Sequence, residues 1–80
     1  GKELKSLIGE IVSVSNATMD ANHMYDTGVD VSDYYVPFAY CYSNNNIFVG
    51  IVRKGNTWWL FDTNGTLTTA KFRYLKVKNP

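Results

Sequence analysis

The sequence predicts an all-β domain, a small five-stranded and partly open barrel with one long early loop. Short runs rich in β-branched and aromatic residues recur along the chain, and turn-forming Asn and Gly separate them. No apolar pattern with the helical period extends over more than two turns. Short strands joined by tight turns are typical of small barrels, and 80 residues are enough for a single domain over positions 1–80.

The first part of the chain is predicted to contain one strand and the long loop. Residues 2–7 are predicted as a helical turn or a frayed end. Partial alternation of β-branched residues predicts the first strand over residues 8–14. Residues 16–33 are rich in Asn, Asp, Thr and Gly, and they are predicted to form a long acidic loop, a feature that is often functional.

Turn residues divide the second part of the chain. The Asn triplet at residues 44–46 predicts a turn, and the dipeptides Gly55-Asn56 and Asn64-Gly65 predict hairpins. Pro37 cannot donate to a ladder, which places its strand at an edge or a bulge. The strands are predicted at residues 34–43, 47–53, 57–62 and within 66–77.

A register follows from these turns. The hairpin at Gly55 places Gly50 opposite Phe61, and a turn at residues 44–46 brings Tyr40 to the other side of Gly50. Both faces of the resulting sheet are apolar near the middle. The sheet is therefore predicted to curl on itself, with the early loop folded over one side.

Composition limits the chemistry that the chain can perform. Cys41 is the only cysteine and His23 the only histidine, which excludes an internal disulfide and leaves an all-protein zinc site without enough ligands. Cys41 lies in the middle of a predicted strand, so we interpret it as a buried, inert thiol rather than the partner of His23 in a catalytic pair. We expect no enzyme activity, no metal and no cofactor.

Net charge and hydropathy limit the possible partners of the chain but do not determine its compartment. The net charge of +1 steers the chain toward neither nucleic acid nor membrane, and no apolar run approaches the roughly 20 residues of a membrane span. The compartment is not determined, with a preference for a reducing cytoplasm.

Adjacent aromatic residues predict a contact surface. Trp58 and Trp59 follow each other in a predicted strand, so their side chains point to opposite faces, and the same holds for Tyr34 and Tyr35. Aromatic residues carry much of the energy at interfaces. We expect outward rings of Tyr34, Tyr35 and Trp58 to form a contact surface. The alternative is that the long loop covers the second face and both indoles belong to the core.

Charge is segregated along the chain. Residues 16–46 contain no Lys or Arg, and Asp26, Asp30 and Asp33 are predicted to extend the contact surface toward a basic partner. A cation site with Asp20 and His23 is a weaker alternative, because the spacing does not fit an EF-hand.

The basic end of the chain suggests a different partner. Lys and Arg alternate with aromatic residues there, which is compatible with binding phosphates and stacking bases, or with an edge strand protected by charge. The candidate nucleic-acid-binding residues are Lys71, Arg73, Lys76 and Lys78.

Residues 58–77 (WWLFDTNGTLTTAKFRYLKV) resemble the common ending of the Src-homology-3-like barrel superfold, which includes Tudor-like and bacterial variants. The order of strand, long loop, three-strand meander and last strand is also similar. The chain departs from the bacterial variants at Thr68-Thr69, where they usually carry Gly-Trp. The resemblance implies a fold, and in peptide-binding members one Trp of a Trp-Trp pair lines the ligand groove.

These observations predict a non-catalytic binding module for a protein or peptide. A nucleic-acid-binding barrel and a structural oligomer subunit are the alternatives, and the oligomeric state is not predicted.

Overall fold

Six strands in two antiparallel sheets make up the part of the chain that the computed structural model describes, residues 9–43 and 47–80. One sheet has the strand order β1-β6-β3 and the other has β2-β5-β4. The strands are β1 (Gly9–Thr18), β2 (Met24–Asp30), β3 (Tyr34–Cys41), β4 (Val49–Lys54), β5 (Thr57–Asp62) and β6 (Thr69–Lys78). The all-β prediction is confirmed, and the described strands form two sheets and not a closed barrel.

The predicted loop at residues 16–33 is wrong, because it contains the end of β1 and all of β2. In β2, Tyr25 and Val29 face the core, while Asp, Thr and Gly occupy intervening positions and conceal the strand pattern. The Asp20 carboxylate accepts backbone hydrogen bonds from Asn22 and Met24, which closes a tight connection between β1 and β2.

Pairing in the second half of the chain is confirmed only within one hairpin. Gly50 lies opposite Phe61 as predicted, and Gly55 has the positive φ that its turn requires. Tyr40, however, lies opposite Arg73 on β6 and not opposite Gly50, so the predicted meander is interrupted. The predicted helical turn at residues 2–7 and the turn at residues 44–46 lie outside the described residues.

The Asn64-Gly65 turn is present, but it is not a hairpin. β5 and β6 belong to different sheets, so this turn carries the chain from one layer to the other. Asp62 holds it: the buried carboxylate accepts hydrogen bonds from the backbone N–H groups of Asn64, Thr66 and Leu67. Turn hydrogen bonds to Asp62 are what its position before an Asn-Gly pair predicts.

The core lies between the two sheets. Leu60 on β5 and Phe72 on β6 are fully buried, and the Phe72 ring packs against Tyr25 at 6.0 Å between centroids. Burial of each such side chain contributes about 2 kcal/mol. The other buried apolar residues are Ala17, Met19, Val29, Val36, Cys41, Ala70 and Tyr74.

Pro37 lies in the edge strand β3, where the ladder shifts register between Tyr35 and Phe38. The prediction of an edge or bulge position is confirmed, since a residue without an N–H is tolerated there. Over the described ranges, no helix is long and apolar enough to cross a lipid bilayer.

Candidate protein-interaction surface

The outer face of the β1-β6-β3 sheet exposes large apolar side chains in register. Ladder pairing aligns Ile11 with Leu75 and Leu75 with Phe38, so the three residues cross the sheet side by side. Ile11 is 54% exposed, Phe38 44% and Tyr35 46%, although each occupies a strand. We call this surface the aromatic face; it consists of Ile11, Tyr35, Phe38, Tyr40, Arg73, Leu75 and Val77.

Arg73 is the one charged residue among those that define the aromatic face. Its Nε donates to the Ser13 hydroxyl at 3.1 Å and its Nη1 to the Tyr40 hydroxyl at 3.4 Å. Its guanidinium carbon lies 4.0 Å from the centroid of the Tyr42 ring. These contacts hold the guanidinium against the sheet, and because Arg has five N–H donors, the remaining donors are available to a carboxylate.

The direction of the tryptophan pair is the reverse of the expected one. Trp58 packs against the core, and its Nε1 donates to the Tyr34 carbonyl oxygen at 2.9 Å. Tyr34 also packs against the core, whereas Tyr35 is exposed. Trp58 and Tyr34 are partly exposed but lie against the core and not on the aromatic face, because the strand pairing turns the other member of each pair outward.

Trp59 belongs to the outer face of the β2-β5-β4 sheet. The Lys54 ammonium lies 4.3 Å from the centroid of its ring, and Val52 lies opposite it on β4. The Phe61 ring occupies the space above Gly50, where a Cβ atom would overlap it. The indole nitrogen of Trp59 is buried and has no hydrogen-bond acceptor among the described residues. Val52 is 37% exposed, so this face is also partly apolar.

The acidic residues hold turns and do not gather into one site. Asp26 accepts a hydrogen bond from the Gly28 N–H, and Asp30 accepts from the N–H and hydroxyl of Ser32. The hydrogen bond from the Ser32 side chain is the main reason that the pKa of Asp30 is lowered, and the Ser32 N–H adds to it. Asp33 lies at the turn before β3, two residues from Tyr35. Asp26 is placed on the other sheet, opposite Trp59.

The side chains of His23 and Cys41, the other candidate metal-binding or catalytic residues, also form hydrogen bonds within the chain. The His23 Nδ1 is hydrogen-bonded to the Leu67 carbonyl oxygen at 2.8 Å, and Cys41 Sγ lies 3.3 Å from the Ser43 hydroxyl. Cys41 is buried, as predicted. In residues 9–43 and 47–80, no group of three or more His, Cys, Asp or Glu side chains is arranged to hold a metal ion.

The basic residues of β6 are divided between the two sides of its sheet. Arg73 lies on the aromatic face, and Lys71, two residues away, is exposed on the same side. The ammonium groups of Lys76 and Lys78 lie 4.7 and 5.4 Å from the Tyr34 ring, and Lys76 also pairs with Glu10 at 3.6 Å. The four cations therefore do not form a single stripe.

A shallow cleft lies beside a bulge in β1. The ladder with β6 shifts between Val14 and Ala17, and the cleft occupies about 120 Å³ there. This volume is well below the roughly 300 Å³ at which small-molecule sites begin. The cleft is lined by Ser15, Asn16, Ser43, Thr69, Ala70 and Lys71.

Sequence reasoning misses most of the aromatic face. Phe38 and Tyr40 alternate along one strand, which predicts that they are neighbours on one side of a sheet. The alternation was not sufficient, because the partner strand β6 is distant in sequence and supplies Arg73 and Leu75. Comparisons with protein-family models, curated proteins and solved structures found no match to this chain.

Proposed function

We propose that this chain is a non-catalytic binding module whose contact surface for a partner protein is the aromatic face. Four side chains carry the proposal: Ile11, Tyr35, Phe38 and Tyr40 are each more than 40% exposed on one side of one sheet. Each large apolar side chain that a partner buries contributes about 1.5–3 kcal/mol, so a few of them suffice for specific association.

Charge on the aromatic face favours an acidic partner. Arg73 and Lys71 lie toward one end, and the residues that define the face include no carboxylate. The carboxylates of Asp26 and Asp30 accept turn hydrogen bonds elsewhere, and Asp33 lies toward the Tyr35 end. The partner segment is therefore apolar with at least one Asp or Glu near Arg73.

Nucleic acid is the second candidate. Arg73 stacked on Tyr42, with Lys71 nearby, favours it. Only two of the four cations on β6 share this side, however, whereas Lys76 and Lys78 lie by the Tyr34 ring. Two phosphate contacts give weak, strongly salt-dependent binding, so the protein partner is preferred.

The Src-homology-3-like assignment is a finer proposal about the fold. The β4–β5 hairpin and the last strand support it, whereas the absence of β3–β4 pairing speaks against it. The binding proposal does not depend on this assignment, because fold alone does not determine the ligand.

A peptide-display selection tests the binding proposal. The immobilised domain is exposed to a phage-displayed library of short random peptides, with an unrelated β domain as background. We expect enrichment of peptides that combine apolar residues with Asp or Glu. Phe38→Ser should abolish the enrichment, and the matched control Val52→Ser, an exposed position on the other sheet, should not. No enrichment, or equal loss of enrichment with both variants, would contradict the proposal.

The nucleic-acid candidate has its own test. A DNA oligonucleotide retained at low salt by the wild type and not by Arg73→Glu would favour this second candidate.

A further inference from the structure

β1 is an open edge of the sheet that carries the aromatic face. Among the described strands it pairs only with β6, so one side of its backbone is not used in the ladder. The N–H and C=O groups along such an edge can pair with another extended chain, and natural proteins usually protect edges with charge, Pro or distortion.

The other three edge strands carry such protection. β3 contains Pro37, β4 ends in Arg53 and Lys54, and β2 carries Asp26 and Asp30 with a register irregularity between them. In β1 the ladder is regular over residues 9–14, and its bulge comes only after them.

β1 itself is almost uncharged. Glu10 is its single charged residue, and the strand contains no Pro. The Glu10 carboxylate pairs with the Lys76 ammonium at 3.6 Å, on the side of the sheet away from the aromatic face. Within the described part of the chain, the free edge of β1 beside the aromatic face is thus open to an added strand.

We propose that the partner segment binds as an extended strand added to the β1 edge, with its side chains continuing the rows of the aromatic face. This inference rests on the proposed function and specifies how the partner is held. A partner residue opposite Ile11 extends the row of Ile11, Leu75 and Phe38, and is therefore apolar. A residue opposite Ser13 extends the row that contains Arg73, and is therefore Asp or Glu. The partner pattern is an apolar and an acidic residue two positions apart, since alternate residues share a face.

A second copy of this chain does not supply that pattern. In a symmetric β1–β1 pairing that keeps both aromatic faces on the same side, the residues available opposite Ser13 are Gly9, Ile11, Ser13 and Ser15, none of which carries a carboxylate. Such a pairing also brings two Arg73 side chains onto one surface. A separate acidic segment is therefore the occupant that the charges favour.

Backbone methylation of the bound peptide tests the mode of binding. In an antiparallel ladder, alternate residues of the added strand direct their N–H toward the partner strand. Two N-methyl variants of a peptide enriched by the display selection are compared, one methylated at each alternate set of positions. Methylation at one set of positions should weaken the peptide's affinity at least about tenfold, because those N–H groups donate to β1. Methylation at the other set should leave the affinity within about twofold, because those N–H groups point away from β1.

Hydrogen exchange and a charge substitution complete the test. Saturating peptide should slow amide exchange over residues 9–14 of β1 and leave β4 unchanged. Ile11→Lys should prevent binding, and Val52→Lys, also an outward position on an edge strand, should not.

If the peptide binds equally well with either set of methylated positions and β1 gains no protection from exchange, the strand addition alone is overturned. Absence of any peptide binding would overturn the proposed function as well. A peptide-free dimer by light scattering, abolished by Ile11→Lys, would assign the edge to a second copy and overturn the inference.

Discussion

The Trp58 indole donates a hydrogen bond to the Tyr34 carbonyl oxygen across 2.9 Å and so ties β5 of one sheet to β3 of the other. The neighbouring Trp59 has no equivalent partner in the described part of the chain. The two indoles thus have different roles: Trp58 joins the layers, and Trp59 lies on an outer face beside Lys54.

Trp58→Phe should therefore destabilise the fold more than Trp59→Phe. We expect the free energy of unfolding to fall by about 1–2 kcal/mol for Trp58→Phe, because a partly buried hydrogen bond and some packing are lost. Trp59→Phe should cost less, since its nitrogen has no acceptor among residues 9–43 and 47–80. Urea denaturation followed by circular dichroism measures both, and equal losses would show that the hydrogen bond to Tyr34 contributes nothing.

Gly50→Ala should destabilise the β4–β5 hairpin. A Cβ at this position overlaps the Phe61 ring, which must move aside. The expected cost is about 1–3 kcal/mol in the free energy of unfolding. The cost should largely disappear in the Phe61→Ala background, and a double-mutant cycle measures that coupling. An unchanged cost in that background would mean that the ring is not the cause.

The buried Asp62 predicts a loss of stability in acid. Burial alone raises the pKa of this carboxyl, but hydrogen bonds from Thr66, Asn64 and Leu67 outweigh burial and lower its pKa from 3.8 to about 2. Because the folded-state pKa is depressed, the stabilisation is complete above the unfolded value and is lost as pH falls toward about 2.

Urea midpoints measured from about pH 6 down to about pH 2 should therefore decrease mainly below about pH 4. Asp62→Asn should be less stable at neutral pH and should show a flatter acid dependence. Asp30 also has a lowered pKa and should account for part of the remaining slope. If the urea midpoint of Asp62→Asn falls as steeply with decreasing pH as that of the wild type, groups other than Asp62 cause the acid sensitivity.

Arg73→Glu should abolish binding of the acidic peptides enriched by the wild type. The matched control is Lys78→Glu, which makes the same charge change near the Tyr34 ring, off the aromatic face. Wild-type affinity should decrease with added salt, and that dependence should weaken in Arg73→Gln. If Lys78→Glu weakens peptide binding as much as Arg73→Glu, net charge and not the aromatic face governs association.

Local patterns account for what the sequence predicts well. The Gly55-Asn56 hairpin and its register depend on a two-residue turn and on strands next to each other in the chain. The turn role of Asp62 and the edge position of Pro37 follow from single-residue chemistry in the same way.

Pairing between distant segments accounts for what the sequence does not predict. β6 lies between β1 and β3, and this arrangement separates β3 from the meander and creates the aromatic face. β2 is not recognised because Asp26, Thr27 and Gly28 occupy its centre. They form a bulge there: the ladder with β5 is interrupted between Asp26 and Asp30, and Gly28 has a positive φ. The direction of Trp58 depends on which layer covers β5, which no local pattern specifies.

The most direct test of the aromatic face as the contact surface is a heteronuclear NMR titration of the ¹⁵N-labelled domain with a display-enriched acidic peptide. The predicted result is that the largest amide shifts fall on Ile11, Phe38, Tyr40, Arg73 and Leu75 and that Val52, Trp59 and Phe61 change little. Shifts concentrated on those last three residues, or saturable binding that leaves the β1-β6-β3 sheet unperturbed, would contradict this assignment.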